Sequence, residues 1–261
     1  MKSPAMNSPI SVYKGKKGDF FMLVNLELIQ YSVFDWKKQI RFPKVMNKDL
    51  AEELGIHLGD GCLLYYENSR QKGYVYSVTS GHNERAYLEK VVMPLMKKLY
   101  NLKSRVKTKR TSLVVEYHSK ALFYFKRFLG VNSGPKVDIK IPTCVFQSNF
   151  IFDFIRGLFD TDGCLHFQKK YKKIHYYPAL NFTSKSKKLV CQVNEVLLKN
   201  GFTTSLILDT EGIASNGTPC KTSRIFLYGN KNLERWIELI GFSNPKNIRK
   251  LKEWQAKGYV D

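Results

Sequence analysis

Asp60-Gly61 and Asp162-Gly163 stand about a hundred residues apart, at the ends of two similar stretches, LAEELGIHLGDGCL (50–63) and IFDFIRGLFDTDGCL (151–165). Each stretch predicts an apolar helix that stops at Asp-Gly and enters a strand starting Cys-Leu. A single Asp-Gly after a helix only caps a turn. Two in a duplicated unit place one carboxylate at each of two equivalent helix ends. A helix C-terminus carries about half a negative charge. Its last carbonyls, here including those of Gly59 and Thr161, lack helical partners. This oxygen-rich, anionic set suits Mg²⁺, which binds through a few carboxylates and keeps waters.

The helices themselves suggest how the carboxylates meet. Ala51, Gly55 and Gly59 fall on one i, i+4 ridge, and Gly157 and Thr161 take the same places in the second stretch. Small ridges let two helices approach closely, and an interior Gly costs roughly 1 kcal/mol against Ala, so close packing gives it a reason. Two such ridges packed together would bring Asp60 and Asp162 side by side. His57, one turn before Asp60, reads either as a ligand or, more readily, as a packing histidine. Asp160 has Leu58 as its counterpart, so a site shared by both copies does not depend on it, and a solvent or structural role is expected.

The surrounding elements run through the same order twice: helix, two strands, helix, two strands, helix. Asn47 caps the first helix. Val78-Thr79-Ser80 and Phe182-Thr183-Ser184 precede the two middle helices, and FLGVNSGPK (128–136) is echoed by LIGFSNPK (239–246). Pro94 is an awkward interior residue of the first middle helix, expected to kink it. Strands are expected at 203–209 and 222–229, with 210–220 a long loop present only in the second copy. The division expected is 1–46 as an N-terminal extension with a mobile start (1–18), 47–146 as the first repeat with its linker, and 147–261 as the second repeat with a C-terminal helix.

The 261 residues carry 43 Lys and Arg against 22 Asp and Glu, a net charge of +21. The excess lies in both halves, so it is no detachable tail. A folded chain this basic usually meets a polyanion, most often nucleic acid. Five cysteines with no Cys-x-x-Cys pair argue against a disulfide framework or a zinc site. The first residues lack a signal-peptide core, and no apolar run is long enough to span a bilayer. These features predict a soluble intracellular protein (cytoplasm, nucleoid or an organelle) without membrane contact.

A basic strand face supplies the surface for that polyanion. Lys103, Arg105, Lys107 and Lys109 alternate through 103–109 and would share one face. Lys169, Lys170, Lys172 and Lys173 crowd a hairpin turn of the second copy, and Arg224 and nearby tyrosines add donors and flat surfaces. An eight-residue strand spans about 26 Å at ~3.3 Å per residue. Two saddles end to end would cover about 50–60 Å, or roughly 16 base pairs at ~3.4 Å rise. A β-ribbon fits the major groove and can read base edges there, and the copies differ, so the site need not be palindromic.

Together the motifs ELGIHLGDG (53–61) and IRGLFDTDG (155–163), within the repeated order over about 47–247, resemble the LAGLIDADG homing endonucleases in their single-chain, two-motif form. The second motif is close to the family pattern. The first departs from it, with Leu58 where an acid often stands, but keeps Asp-Gly. The resemblance implies an α+β fold of two pseudo-symmetric αββαββα repeats, each with a saddle-shaped antiparallel sheet, packed through the motif helices. It implies a monomer that cuts double-stranded DNA at a long site and leaves short 3′ overhangs. Asp60 and Asp162 would bind the metal. Lys136 and Lys246, after the third helix of each copy, would act at the scissile phosphates. Lys185 is an asymmetric addition opposite Gly81, and Ser80 and Ser184 stand where a water-positioning residue lies. The same fold also serves RNA-binding intron maturases and non-cleaving DNA binders. Charge and fold do not separate these, whereas both Asp residues favour the nuclease.

Overall fold

The computed structural model describes residues 10–14, 20–69, 71–213 and 217–261. The chain divides into two compact units, Met1–Gly134 with Pro142–Phe154, and Pro135–Ile141 with Ile155–Asp261. In the first unit, β1 (Ile10–Lys14) and β2 (Phe20–Val24) form an antiparallel hairpin. The expectation of a mobile start otherwise lies outside the described residues. α1 (Val33–Lys37) opens on a capping box, in which Ser32 and Asp35 satisfy each other's backbone N–H groups. Asp35 is fully buried. Its Oδ2 also accepts from the Ala121 N–H at 3.1 Å, so this one carboxylate fastens the extension to a second helix start. Phe42 completes the attachment by stacking on Phe125 at 4.5 Å.

α2 (Lys48–Gly59) starts at Asn47, whose side chain accepts from the Leu50 N–H, and ends at Asp60. β3 (Gly61–Glu67) and β4 (Lys72–Ser80) follow as a hairpin in register from Gly61↔Val78 to Glu67↔Lys72. The middle helix has three parts: α3 (Arg85–Tyr87), a π turn over Leu88–Val92, and α4 (Met93–Tyr100). Pro94 lacks an N–H and crowds the carbonyl four residues back. The widened π turn just before it falls where that clash would arise, and the helix runs on through it.

β5 (Lys107–Thr108) and β6 (Leu113–His118) complete a sheet of order β3-β4-β6-β5. The expected strand over 103–109 is thus reduced to two residues. Ser104 Oγ donates to the Glu116 carbonyl at 2.8 Å, so a side chain meets the acceptor there, and alternation fails upstream. α5 (Lys120–Phe128), capped by Ser119, packs on this sheet, and α6 (Thr143–Phe146) is a short turn of helix.

The division between the units falls within α7 (Ile151–Asp162). The second unit then repeats the plan with β7 (Gly163–Gln168), β8 (Tyr177–Ser184), α8 (Lys187–Lys199), β9 (Ser205–Ile213), β10 (Pro219–Tyr228) and α9 (Asn230–Leu239), the sheet running β7-β8-β10-β9. The expected loop at 210–220 is mostly strand, because β9 and β10 stay paired as far as Ile213↔Pro219. α10 (Pro245–Lys257) closes the chain on β7. Trp254 stacks on Phe167 at 5.6 Å and donates through Nε1 to the Tyr176 carbonyl. The architecture is the expected α+β repeat, with an antiparallel four-stranded sheet in each unit.

The repeats fill equivalent core positions with different chemistry. In the first, Glu53 (1% exposed) and Lys126 (0%) form an ion pair. Lys126 Nζ donates at 2.6 and 2.8 Å, and Tyr100 Oη donates to the same carboxylate at 2.9 Å. The ammonium lies 4.0 Å from the centre of the Tyr76 ring. In the second, sheet register and helix position place Ile155, Leu180 and Trp236 where Glu53, Tyr76 and Lys126 stand, and all three are buried.

Candidate nucleic-acid interface and its carboxylates

Both Asp-Gly pairs are locked by sterics. A Cβ at Gly61 would lie 2.6 Å from His57 Cα, and one at Gly163 would lie 2.4 Å from the Phe159 ring. Each glycine lets the next strand fold straight back on the helix it leaves, which fixes the preceding carboxylate at the helix end. Asp60 caps α2, giving its N–H to the Ile56 carbonyl. Its own carbonyl accepts from the Thr79 N–H at 3.2 Å, which ties the helix end to the first Thr-Ser landmark. His57 is buried and stacks on Tyr76 at 5.1 Å, as a packing histidine does.

Asp162 is the last residue of α7. Burial pushes its carboxyl up to about 6, and the charge of Lys136 works in the opposite direction. Lys136 follows the third helix of the first repeat in sequence, yet it belongs to the second unit. A carboxylate whose charge the protein alone leaves under-compensated, at a helix C-terminus, fits a hard divalent cation. Among the described residues no group of three or more His, Cys, Asp or Glu side chains gathers as a metal cluster. In each unit the motif Asp, with its neighbouring carbonyl, is the set that would hold one. The Thr161 hydroxyl turns back on its own helix, with the Leu158 carbonyl at 2.8 Å and that of Gly157 at 3.2 Å.

Asp160 has the structural role expected of it. Its Oδ2 accepts from the N–H groups of Ser243 and Asn244, and its Oδ1 from Asn247 Nδ2 at 3.0 Å. These bonds hold the turn that starts α10, where the Lys246 N–H donates to Asn244 Oδ1. A buried acid one turn from the motif end therefore positions the segment carrying Lys246. Ser184 Oγ accepts from the Ser186 N–H, Ser80 is buried on β4, and Lys185 is exposed between β8 and α8.

The outer sheet faces carry the expected cations unevenly. Lys103 and Arg105 lie outside β5. Lys107 and Lys109 both reach Glu116 on β6, at 2.6 and 3.6 Å, and the Lys107 contact holds the Glu116 carboxyl below the usual range. Sequence reasoning missed this acid because nothing local links it to the basic run. Arg224 stands exposed on β10, with Thr183 and Ile207 beside it in register. It faces away from the buried Ile225 and Leu227. Phe226 and Tyr228 stack on that face at 5.8 Å. Lys169, Lys170, Lys172 and Lys173 sit in an exposed turn, where Lys170 lies over Tyr177 at 4.3 Å and Lys172 over Tyr176 at 5.1 Å.

Comparison with known proteins agrees with this architecture. Residues 149–241 match the family model for a LAGLIDADG-like domain. The structure is similar to that of I-DmoI in complex with DNA and Ca, with a TM-score of 0.51 and 18% identity, covering 79% of this chain and 97% of that one. It is similar to the homing endonuclease I-WcaI bound to its DNA recognition sequence, with a TM-score of 0.51 and 16% identity over 84% and 91% of the two chains. In sequence, 211 residues are 26% identical to a replication factor C small subunit of Methanocaldococcus jannaschii; the match spans 79% of this chain but only 10% of that protein's length. Two sheet-and-helix repeats, each opened by a helix ending in Asp-Gly, define the LAGLIDADG fold here. No helix among the described residues is long and apolar enough to cross a membrane.

Proposed function

We propose that this chain is a homing endonuclease, working as a monomer, that makes a double-strand break in a long, non-palindromic DNA site. The reaction is phosphodiester hydrolysis with Mg²⁺ or another divalent cation, leaving short 3′ overhangs. The observation that carries this reading is the equivalence of Asp60 and Asp162, each fixed at a helix end by a glycine that tolerates no side chain. The net charge of +21 and the DNA complexes of I-DmoI and I-WcaI support it.

Each repeat supplies one carboxylate for one strand break. A divalent cation bound there would supply an activated water and charge stabilisation at the scissile phosphate. Asp60 with the Gly59 carbonyl in one repeat, and Asp162 with the Thr161 carbonyl in the other, would each supply ligands to such a cation. Lys136 favours the ionised form of Asp162, so the ligand is ready at neutral pH. Lys136 and Lys246 donate to phosphate oxygens as negative charge builds in the transition state. Lys107, Lys109, Lys169, Lys170, Lys172, Lys173, Lys185 and Arg224, with Lys103 and Arg105 beside the first sheet, contact the DNA backbone.

The test is cleavage of the uninterrupted insertion junction with Mg²⁺, beside Asp60→Asn and Asp162→Asn. Double-strand cutting by the parent, lost in both variants while binding persists, supports the proposal. Specific binding without cutting, unchanged in the variants, overturns it in favour of an RNA maturase or a non-cleaving DNA binder.

A further inference from the structure

The N-terminal extension contributes to a cleft that the duplex-cutting reading leaves unused. The cleft measures about 400 Å³ and lies between α1 and the outer end of the β3–β4 hairpin. Phe34 and Tyr66 supply rings to its walls, and Lys38, Lys72 and Lys120 supply charge; Tyr74 also lines it, but its ring takes the opposite face of the hairpin, with Tyr65 and Phe123. β3 leads here from Asp60 over seven residues, or about 20 Å at ~3.3 Å per residue. The cleft is thus well separated from the carboxylate.

Its side chains are arranged for an anion that also has a flat face. Phe34 is 70% exposed. Lys120 Nζ lies 6.0 Å from the Tyr74 ring centre and 5.8 Å from that of Tyr124. Lys38 Nζ gives one N–H to the His118 carbonyl at 2.7 Å, and an ammonium has three to give. Lys72 is paired with Glu67 at 2.6 Å, so Lys38 and Lys120 carry the anion-binding capacity. A stacked duplex presents phosphates but hides its base faces. Only an unpaired nucleotide offers a phosphate and an open π face together.

We propose that this cleft binds one unpaired nucleotide of a single-stranded nucleic acid. The base stacks against Phe34 and Tyr66, and its phosphate sits on Lys38 and Lys120. Such a site would let the protein hold a free strand while its sheets engage a duplex.

The test is fluorescence anisotropy of the full chain with a labelled 12-nucleotide single strand, as DNA and as RNA, and with the matching DNA duplex. Binding is read at about 150 mM salt to limit non-specific electrostatic binding. Phe34→Ala and Lys120→Ala are compared with the parent and with Lys252→Ala on the exposed side of α10, all checked for folding by circular dichroism. The expected result is a loss of about fivefold or more in single-strand affinity for each cleft variant, as stacking energies imply. Duplex affinity and the Lys252→Ala variant should change less than twofold. The strand type that shows the loss identifies the natural source. Equal losses on duplex and single strand would overturn the proposal and make the cleft a clamp for flanking duplex. No loss on any probe would also overturn it.

Discussion

Lys126→Met tests how the first repeat stands up behind its motif helix. It strands the Glu53 carboxylate at 1% exposure, with Tyr100 as the remaining hydrogen-bond donor described for it. Breaking a buried pair from one side costs about 3–5 kcal/mol, or a fall in Tm of roughly 10–15 °C for a unit of this size. Glu53→Gln should cost about as much from the other side. Burial already holds the Lys126 ammonium below its ordinary range, against the pull of Glu53. With Glu53 neutralised only the downward effect remains. The unfolded chain then binds the proton more tightly than the folded one, so the stability of Glu53→Gln should rise as pH is raised. The combined variant Glu53→Leu, Tyr100→Phe, Lys126→Met removes both charges and the Tyr100 hydroxyl together, and it should be neutral or up to about 4 kcal/mol more stable. Thermal and urea unfolding followed by circular dichroism measure all four proteins. Single variants costing under about 1 kcal/mol, or a triple variant as unstable as the singles, would refute the reasoning.

The remaining predictions concern the site itself. Asp162→Asn should stabilise the metal-free protein. A rise from 3.8 to about 6 corresponds to at most about 3 kcal/mol. The penalty is full above pH 6 and gone below 3.8, so the parent should gain stability between pH 7 and 5 while the variant lacks this gain; melting in EDTA across that range checks it. Gly61→Ala and Gly163→Ala should each cost roughly 2–4 kcal/mol, because the added Cβ meets the His57 backbone or the Phe159 ring and backbone; urea unfolding measures the loss. Cys62, which is exposed, should react first with a thiol reagent at pH 8, whereas Cys144, buried and pushed up to about 12, should react only on unfolding. Mass spectrometry of labelled peptides reads the order.

Elements with strong periodicity were legible in the sequence. Asn47 caps its helix, and both Asp-Gly pairs end helices and begin strands. What the sequence hid depends on distant partners. Nothing near Asp35 announces that it reaches Ala121, 86 residues on. The alternation of Lys103 to Lys109 looked like a strand face, yet Ser104 meets the Glu116 carbonyl, and Glu116 gathers two of the lysines. The long loop at 210–220 was misread because polar and glycine residues describe a turn as well as an exposed hairpin with no core face to pattern it. Lys136 follows the third helix of the first copy in sequence, yet it groups with the second unit, where its charge bears on Asp162.

The two cores explain why the motif helices look so different while their ends agree. α2 carries Glu53 and His57 where α7 carries Ile155 and Phe159. Each helix must bury that flank on its own sheet. An ion pair with an aromatic lid fills the space in one case, and Ile155, Phe159 and Trp236 fill it in the other. The helix end meets a separate demand. The strand must start within one residue, so the residue after the Asp can carry no Cβ in either copy. Core chemistry is therefore free to differ between the repeats so long as each is internally satisfied, whereas the Asp-Gly step is not. Replacing the buried polar set of the first repeat with apolar side chains should accordingly alter stability and leave the position of Asp60 unchanged. A shift of the proposed DNA cleavage in the stable triple variant would show that the core also tunes the site.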